Sequence, residues 1–350
     1  MTIEPRRGET GPLGAGACAI GIGTWAMGGP FTSGEGCRYP TGAPLGYGAT
    51  DDAASIRALH RALDLGVTLI DTADAYGTGH AERLLGRALG ARRDRVLIAT
   101  KFGNTYNEET RELTGVDVSA DYIRRACEAS LTRLRTDWID LYQLHVGGLE
   151  IDRALEVAGT LDRLRDEGLI RAYGWSTDDA ANAAVFAERT NAVAVQFDMN
   201  VFAQADSMLA LCRRAGLAAI VRQPLAMGFL SGRFSGDSRL PADDIRSRPP
   251  EWLRYFETGG RASAAWQTRL DAIREILTGG GRSPVQGALA WIWGRYPGAI
   301  PIPGVRSLEQ VEENLAAAAF GPLGADQMSE IDRLLERDRV PEERSVAVGA

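Results

Sequence analysis

The sequence predicts an α/β fold, a (β/α)8 TIM barrel in one domain, and three observations carry that expectation. Eight short apolar runs punctuate the chain. One amphipathic helical stretch lies between most successive runs. The chain has 350 residues, a length that one such barrel with long loops fills. The barrel core is expected over about 14–320, with a C-terminal helix at about 325–338 and a tail at 339–350.

The first run is "AIGIGTW" (19–25). A doubly wound sheet would want a Gly-rich phosphate turn here, but Gly21 and Gly23 do not complete GxGxxG spacing into a helix. Residues 26–50 follow, rich in Gly, Pro and Thr and carrying Phe31, Tyr39 and Tyr47. "VTLIDTA" (67–73) and "RVLIATK" (95–101) are the next two runs. Residues 119–135 place Ile123, Cys127, Leu131 and Leu134 about one turn apart, as a helix face requires. After "IDLYQLH" (139–145), residues 152–167 align Leu155, Leu161 and Leu164, and Gly168 is the expected helix stop. "IRAYGWS" (170–176), "VAVQFDM" (193–199) and "LAAIVRQ" (217–223) continue the rhythm. A long segment, 224–262, carries five arginines from Arg233 to Arg254 together with Trp252, Tyr255 and Phe256. "AIPIPG" (299–304) is the eighth run, and Ser307 with Gln310 has the spacing of a capping box for a helix over 308–318. The segments 26–50 and 224–262 both leave C-terminal strand ends, where a barrel keeps its active site.

Composition narrows the function classes. With 46 acidic and 39 basic residues the formal charge is -7, and no basic block is long enough to track a nucleic-acid backbone. The first eleven residues carry no long apolar run, so neither a signal peptide nor a membrane span is expected and the cytoplasm is the expected compartment. Cys18, Cys37, Cys127 and Cys212 are scattered without metal-ligand spacing and read as free thiols, with no metal site.

Among the 39 basic residues Lys101 is the single lysine. It closes the third run. Asp71 lies near the end of the second, with Tyr76 five residues on, and His145 closes the fourth. In a barrel these strands are neighbours, so the four side chains converge on one face. The chemistry is coherent. A tyrosine hydroxyl has a pKa of about 10, and a nearby ammonium favours the phenolate. An aspartate keeps that ammonium charged and placed, and imidazole orients a substrate oxygen. A compact ammonium suits the middle position better than a planar guanidinium. Taken singly, each residue has a plainer role: surface charge, turn cap, rim aromatic, core histidine. His60 and His80 are assigned no role.

"GVTLIDTADAYGTGHAERLLGRAL", "IATKFGN" and "IDLYQLH" resemble the signatures of the aldo-keto reductases, over about Gly14 to Asn314. The resemblance implies a (β/α)8 barrel that binds NADPH/NADP+ without a Rossmann domain and reduces small aldehydes or ketones. It places the catalytic tetrad on Asp71, Tyr76, Lys101 and His145, with Tyr76 as proton donor. It also implies that Gly23, Thr24 and Trp25 border the nicotinamide, with Asp71. Ser176, Thr177 and Gln196 would hold the carboxamide, Thr177 standing where asparagine is usual. Arg222, Gln223, Pro224, Leu225 and Gly228 would lie along the pyrophosphate loop. Gly304, Arg306, Gln310, Glu313 and Asn314 would meet the adenosine half, with Arg306 at the 2′-phosphate. Arg222 stands where an aromatic often lies under the nicotinamide, and either stacking or pyrophosphate contact suits it. Val146-Gly147-Gly148 replaces the usual Arg-x-Asp. Two other classes stay open: a Schiff-base lyase using Lys101, and a cofactor-sensing binding protein on the same fold.

Overall fold

The computed structural model describes residues 13 and 19–336. Each of the eight apolar runs contains a strand: β1 (Ile22–Gly23), β2 (Leu69–Asp71), β3 (Leu97–Phe102), β4 (Ile139–Leu144), β5 (Ile170–Ser176), β6 (Ala194–Asp198), β7 (Ala218–Arg222) and β8 (Ala299–Pro301). They form one parallel sheet in sequence order. Gly21 N–H donates to Pro301 O (2.9 Å) and Gly23 N–H to Pro303 O (3.0 Å), which brings the first strand against the last. This is the predicted (β/α)8 barrel.

The strands are apolar on both sides because helices cover the outside while side chains fill the inside. Ile98, Leu141, Tyr142, Val195 and Ile220 are all buried. The covering helices are α1 (Asp52–Asp64), α2 (His80–Leu89), α3 (Ala120–Leu134), α4 (Ile151–Asp166), α5 (Ala180–Arg189), α6 (Asp206–Ala215), α7 (Ala264–Thr278), α8 (Pro284–Arg295), α9 (Leu308–Phe320) and α10 (Ala325–Leu334). The helices expected over 119–135 and 152–167 are α3 and α4, and Gly168 (φ +83°) follows the latter as expected. The capping box expected at Ser307 is only half formed. Ser307 accepts from Gln310 N–H (3.4 Å), but Gln310 Oε1 turns to Arg306 N–H (2.7 Å). Both halves of such a box form instead at Ser283 and Gln286, before α8. The C-terminal helix expected over about 325–338 ends earlier, at Leu334, with Leu335 as its cap and Glu336 at φ +55°; residues 337–338, the tail at 339–350 and Cys18 lie outside the described residues.

Two ordered insertions stand over the C-terminal ends of the strands. After β3 a hairpin pairs Asn104–Asn107 with Glu112–Val116, and Thr32–Ser33 adds to its edge. The segment 224–262 folds into short helical turns and a second small hairpin, Phe256–Glu257 with Arg261–Ala262. The segment 26–50 is tied to it. Ile245 N–H donates to Gly46 O (2.7 Å), and Trp252 Nε1 donates to Tyr39 OH (3.2 Å). Phe31, Leu45, Ala75 and Leu113 form an apolar cluster of their own beneath these loops.

Candidate active site

Lys101 has no solvent exposure, and its ammonium has three donors to place. Nζ donates to Asp71 Oδ2 (2.6 Å), to the carbonyl of Thr72 (2.8 Å) and to Tyr76 OH (3.1 Å). Strand β3 aims it inward, because Thr100 turns outward to Glu82 on α2 (2.5 Å) and successive side chains alternate. Asp71, at the end of β2, is held in turn. Its Oδ1 accepts from Gln196 Nε2 (2.8 Å) and, at longer range, from Gln143 Nε2 (3.5 Å).

Tyr76 is set by the turn that follows β2. Gly77 has φ +61°, and a Cβ there would lie 1.9 Å from Gly28 O, so only glycine lets the two loops meet. Trp25 stacks on the Tyr76 ring (centroids 5.8 Å apart), while the His145 ring meets it edge-on at 6.0 Å. The structure therefore brings Asp71, Tyr76, Lys101 and His145 together.

The electrostatics follow from this burial. Burial by itself would depress the Lys101 ammonium, but Asp71 and Tyr76 outweigh it and hold the pKa above the usual lysine range. Burial pushes the Tyr76 hydroxyl above its ordinary value. Lys101 opposes that rise without cancelling it. The sequence-based expectation of a net lowered tyrosine pKa is thus corrected: the ammonium acts in the expected direction, and desolvation wins. Burial, then the charges of Lys101, Arg222 and Arg38, hold His145 well below the usual histidine range, so its ring is neutral.

A cleft of about 520 Å3 runs across this face, within the size range of small-molecule sites. Tyr76, Asp71 and His145 line it; Lys101 lies beneath them. Gly23, Trp25, Ser176, Gln196, Arg222, Gln223, Pro224, Leu225, Gly228, Gly304, Arg306, Gln310, Glu313 and Asn314 also line it. Two expected cofactor contacts do not. Thr24 is fully buried and its hydroxyl donates to Asp71 O (3.1 Å). Thr177 is fully buried, donates to Gly147 O (3.0 Å) and accepts from Asp179 N–H (3.1 Å). Gln196 spends its amide nitrogen on Asp71 (2.8 Å).

Elsewhere along the cleft the lining carries cationic and amide donors that suit an anionic ligand. Arg306 Nη1 donates to Tyr47 O (3.2 Å), and Arg233 pairs with Glu313 (3.2 Å). Asn314 is 2% exposed, and its Nδ2 has no hydrogen-bond partner among the described residues, a polar group placed for a ligand. The chain bends sharply after β7, with Gln223, Ala226 and Met227 all at positive φ (52°, 49° and 57°). Such backbone strain concentrates at ligand-binding loops. Among the described residues no group of three His, Cys, Asp or Glu side chains could hold a metal ion, and no helix is long and apolar enough to cross a membrane.

Sequence reasoning missed three participants. Asp178 binds the Arg222 guanidinium, and its other oxygen accepts from Asp198 N–H (2.8 Å). Burial pushes the Asp198 carboxyl up to about 7, against the pull of Arg222. Gln143 was legible as an inward polar residue two positions before His145, in step with the strand alternation. Asp178 was hidden by its neighbour Asp179, which caps α5 through Ala181 N–H and Asn182 N–H (3.0 Å each). Arg38, on the cleft wall, carried no motif.

A family model described as the Aldo/keto reductase family matches residues 19–336. The NADP(+) aldo-keto reductase yakc of Schizosaccharomyces pombe is 32% identical over 282 residues, covering 77% of this chain and 79% of that protein. Among solved structures, the glycerol dehydrogenase AKR11B4 of Gluconobacter oxydans superposes with a TM-score of 0.75 at 28% identity, covering 94% of this chain and 95% of that one. An aldo-keto reductase from Klebsiella pneumoniae in complex with NADPH gives a TM-score of 0.64 at 26% identity, covering 91% of each chain.

Proposed function

The chain belongs to the aldo/keto reductase family and is an NADP(H)-dependent oxidoreductase, and from that premise we propose that it reduces an aldehyde or ketone with Tyr76 as the proton donor. The observation that carries this reading is the Lys101 ammonium fixed between Asp71 Oδ2 and Tyr76 OH, at 2.6 and 3.1 Å.

When bound, the reduced dinucleotide supplies the hydride. The chain's residues do the rest. Arg306, Gln310 and Asn314 would hold the adenosine end, while Ser176, Gln196 and Trp25 would frame the nicotinamide. The neutral His145 ring hydrogen-bonds and orients the carbonyl oxygen. Tyr76 gives its proton to that oxygen as negative charge develops there. An alkoxide is far more basic than a phenolate, so the transfer is favourable even from a buried tyrosine. Lys101 stabilises the phenolate left behind, and Asp71 keeps Lys101 in place. The raised tyrosine pKa serves this role, because the donor stays protonated until it is needed.

A nucleophilic lysine is disfavoured by the same geometry. Lys101 has no exposure, is ion-paired at 2.6 Å and is held protonated, whereas a Schiff-base lysine must be accessible and neutral. A screen of aldehydes, ketones and keto-sugars with NADPH, followed at the nicotinamide absorbance, tests the proposal. Turnover of simple aldehydes is expected. NADPH binding without turnover of any carbonyl would favour a cofactor-sensing protein instead.

A further inference from the structure

Building on the reductase reading, we propose that the substrate is a carbonyl compound with an apolar body and a carboxylate, and that Arg38 receives the carboxylate. The wall beside Tyr76 is the separate apolar cluster of Phe31, Leu45, Ala75 and Leu113, and all four side chains face the cleft. Trp25 continues that wall. A polyol would leave hydroxyls unmatched against it, at a desolvation cost; an aryl or branched alkyl group would not.

The charges of the cleft point the same way. Five arginines line it: Arg38, Arg222, Arg233, Arg246 and Arg306. Three are paired with carboxylates, Arg222 with Asp178, Arg233 with Glu313 and Arg246 with Asp244. Among the described residues neither Arg306 nor Arg38 has such a partner. Arg306, beside Gln310 and Asn314 on the cleft lining, is assigned by the proposed function to the cofactor's phosphate. Arg38 is exposed at the rim of the cleft, where a substrate anion entering along the apolar wall would meet it. It is also held in place. Its guanidinium lies 4.6 Å from the Tyr39 ring centroid and donates to the Tyr39 hydroxyl. That hydroxyl accepts from Trp252 Nε1 as well (3.2 Å), so Arg38 is braced against both loops that roof the cleft. Its charge is felt at His145, after burial and the charges of Lys101 and Arg222, so the carbonyl-orienting group and the proposed carboxylate site lie within electrostatic reach of each other.

The test compares 4-carboxybenzaldehyde with its methyl ester on the full-length enzyme with NADPH. The two aldehydes differ in charge and share the reacting group. Wild type is expected to show a kcat/KM about two- to fivefold higher for the acid, the size of one ion pair at a solvent-exposed arginine on the cleft rim. Arg38→Gln should bring the acid-to-ester ratio close to one, and Arg38→Lys should restore part of it. The ratio is read on a single preparation, so partial misfolding of a variant cancels. Equal kcat/KM for acid and ester in wild type, or a preference that survives Arg38→Gln, overturns the assignment and leaves the reductase reading standing. No turnover of either aldehyde overturns this assignment, and the reductase reading falls with it only if no carbonyl of the wider screen is turned over.

Discussion

Replacing Lys101 with arginine keeps the charge, and it should still abolish fast chemistry. The ammonium site is closed on every side and is read at three points, 2.6, 2.8 and 3.1 Å from Nζ. A guanidinium is planar, longer and forked, and cannot satisfy Asp71, the Thr72 carbonyl and Tyr76 from one atom's position. Overfilling such a site costs about 1–3 kcal/mol of stability. Displacing the phenol from its ammonium should forfeit most of the general-acid advantage, about a hundred- to ten-thousand-fold. Lys101→Met makes a useful contrast. It leaves Asp71 buried and unpaired, and should cost about 3–5 kcal/mol. The assay is paired: denaturant unfolding for stability, and stopped-flow single turnover of bound NADPH with a small aldehyde for chemistry. The account expects a folded Arg variant that binds NADPH and scarcely oxidises it. A single-turnover rate near wild type would refute the claim that lysine is required here, and a Met variant as stable as wild type would refute the burial argument.

Three further outcomes follow from the same geometry. Arg306→Ala should weaken NADPH binding and leave NADH nearly untouched, since arginine–phosphate pairs combine charge with bidentate geometry; titrations with both cofactors check this, and equal losses would move the phosphate contact elsewhere. Arg222→Tyr removes the partner of Asp178. The single variant should be destabilised, and Asp178→Asn should recover much of the loss, with a coupling of about 1–3 kcal/mol in a denaturant double-mutant cycle; a coupling near zero would show an idle pair. The single-turnover rate of reduction should be flat through the ordinary histidine range, about pH 6.5, because His145 is already neutral there, and should fall only in strong alkali as Tyr76 loses its proton; an inflection near neutral pH that persists in Asp198→Asn, which removes the carboxyl pushed up to about 7, would place a titrating histidine in the chemical step.

The barrel was legible because its signals are long-range and redundant. Eight buried strands must be apolar, and each must be followed by a helix that covers it. The tetrad was legible because Lys101 is the single lysine of an arginine-rich chain and because three neighbouring strand ends each carry one chemical residue. The hairpin at 104–116 was not, since its strands are short, polar and at an edge, and Leu113 is its one well-buried apolar side chain. Its turn is set by local contacts that only coordinates reveal: Asn107 Oδ1 accepts from Glu109 N–H (2.9 Å) and Thr110 N–H (3.1 Å), and Arg111 takes φ 57°. Thr24 and Thr177 followed the motif by position, but their hydroxyls are turned to backbone carbonyls, a direction that spacing does not encode. The sign of the Tyr76 shift was misjudged for a related reason. The ammonium can be inferred from sequence, whereas the depth of burial that outweighs it cannot.

The central claim is that Tyr76 gives the proton, and Tyr76→Phe tests it most directly. The phenyl ring can still stack on Trp25, so NADPH affinity by fluorescence titration should stay close to wild type. The single-turnover rate of NADPH oxidation by a simple aldehyde should fall by about a hundred- to ten-thousand-fold. Retained affinity with that loss is the predicted result; retained affinity with most of the rate intact would contradict the account.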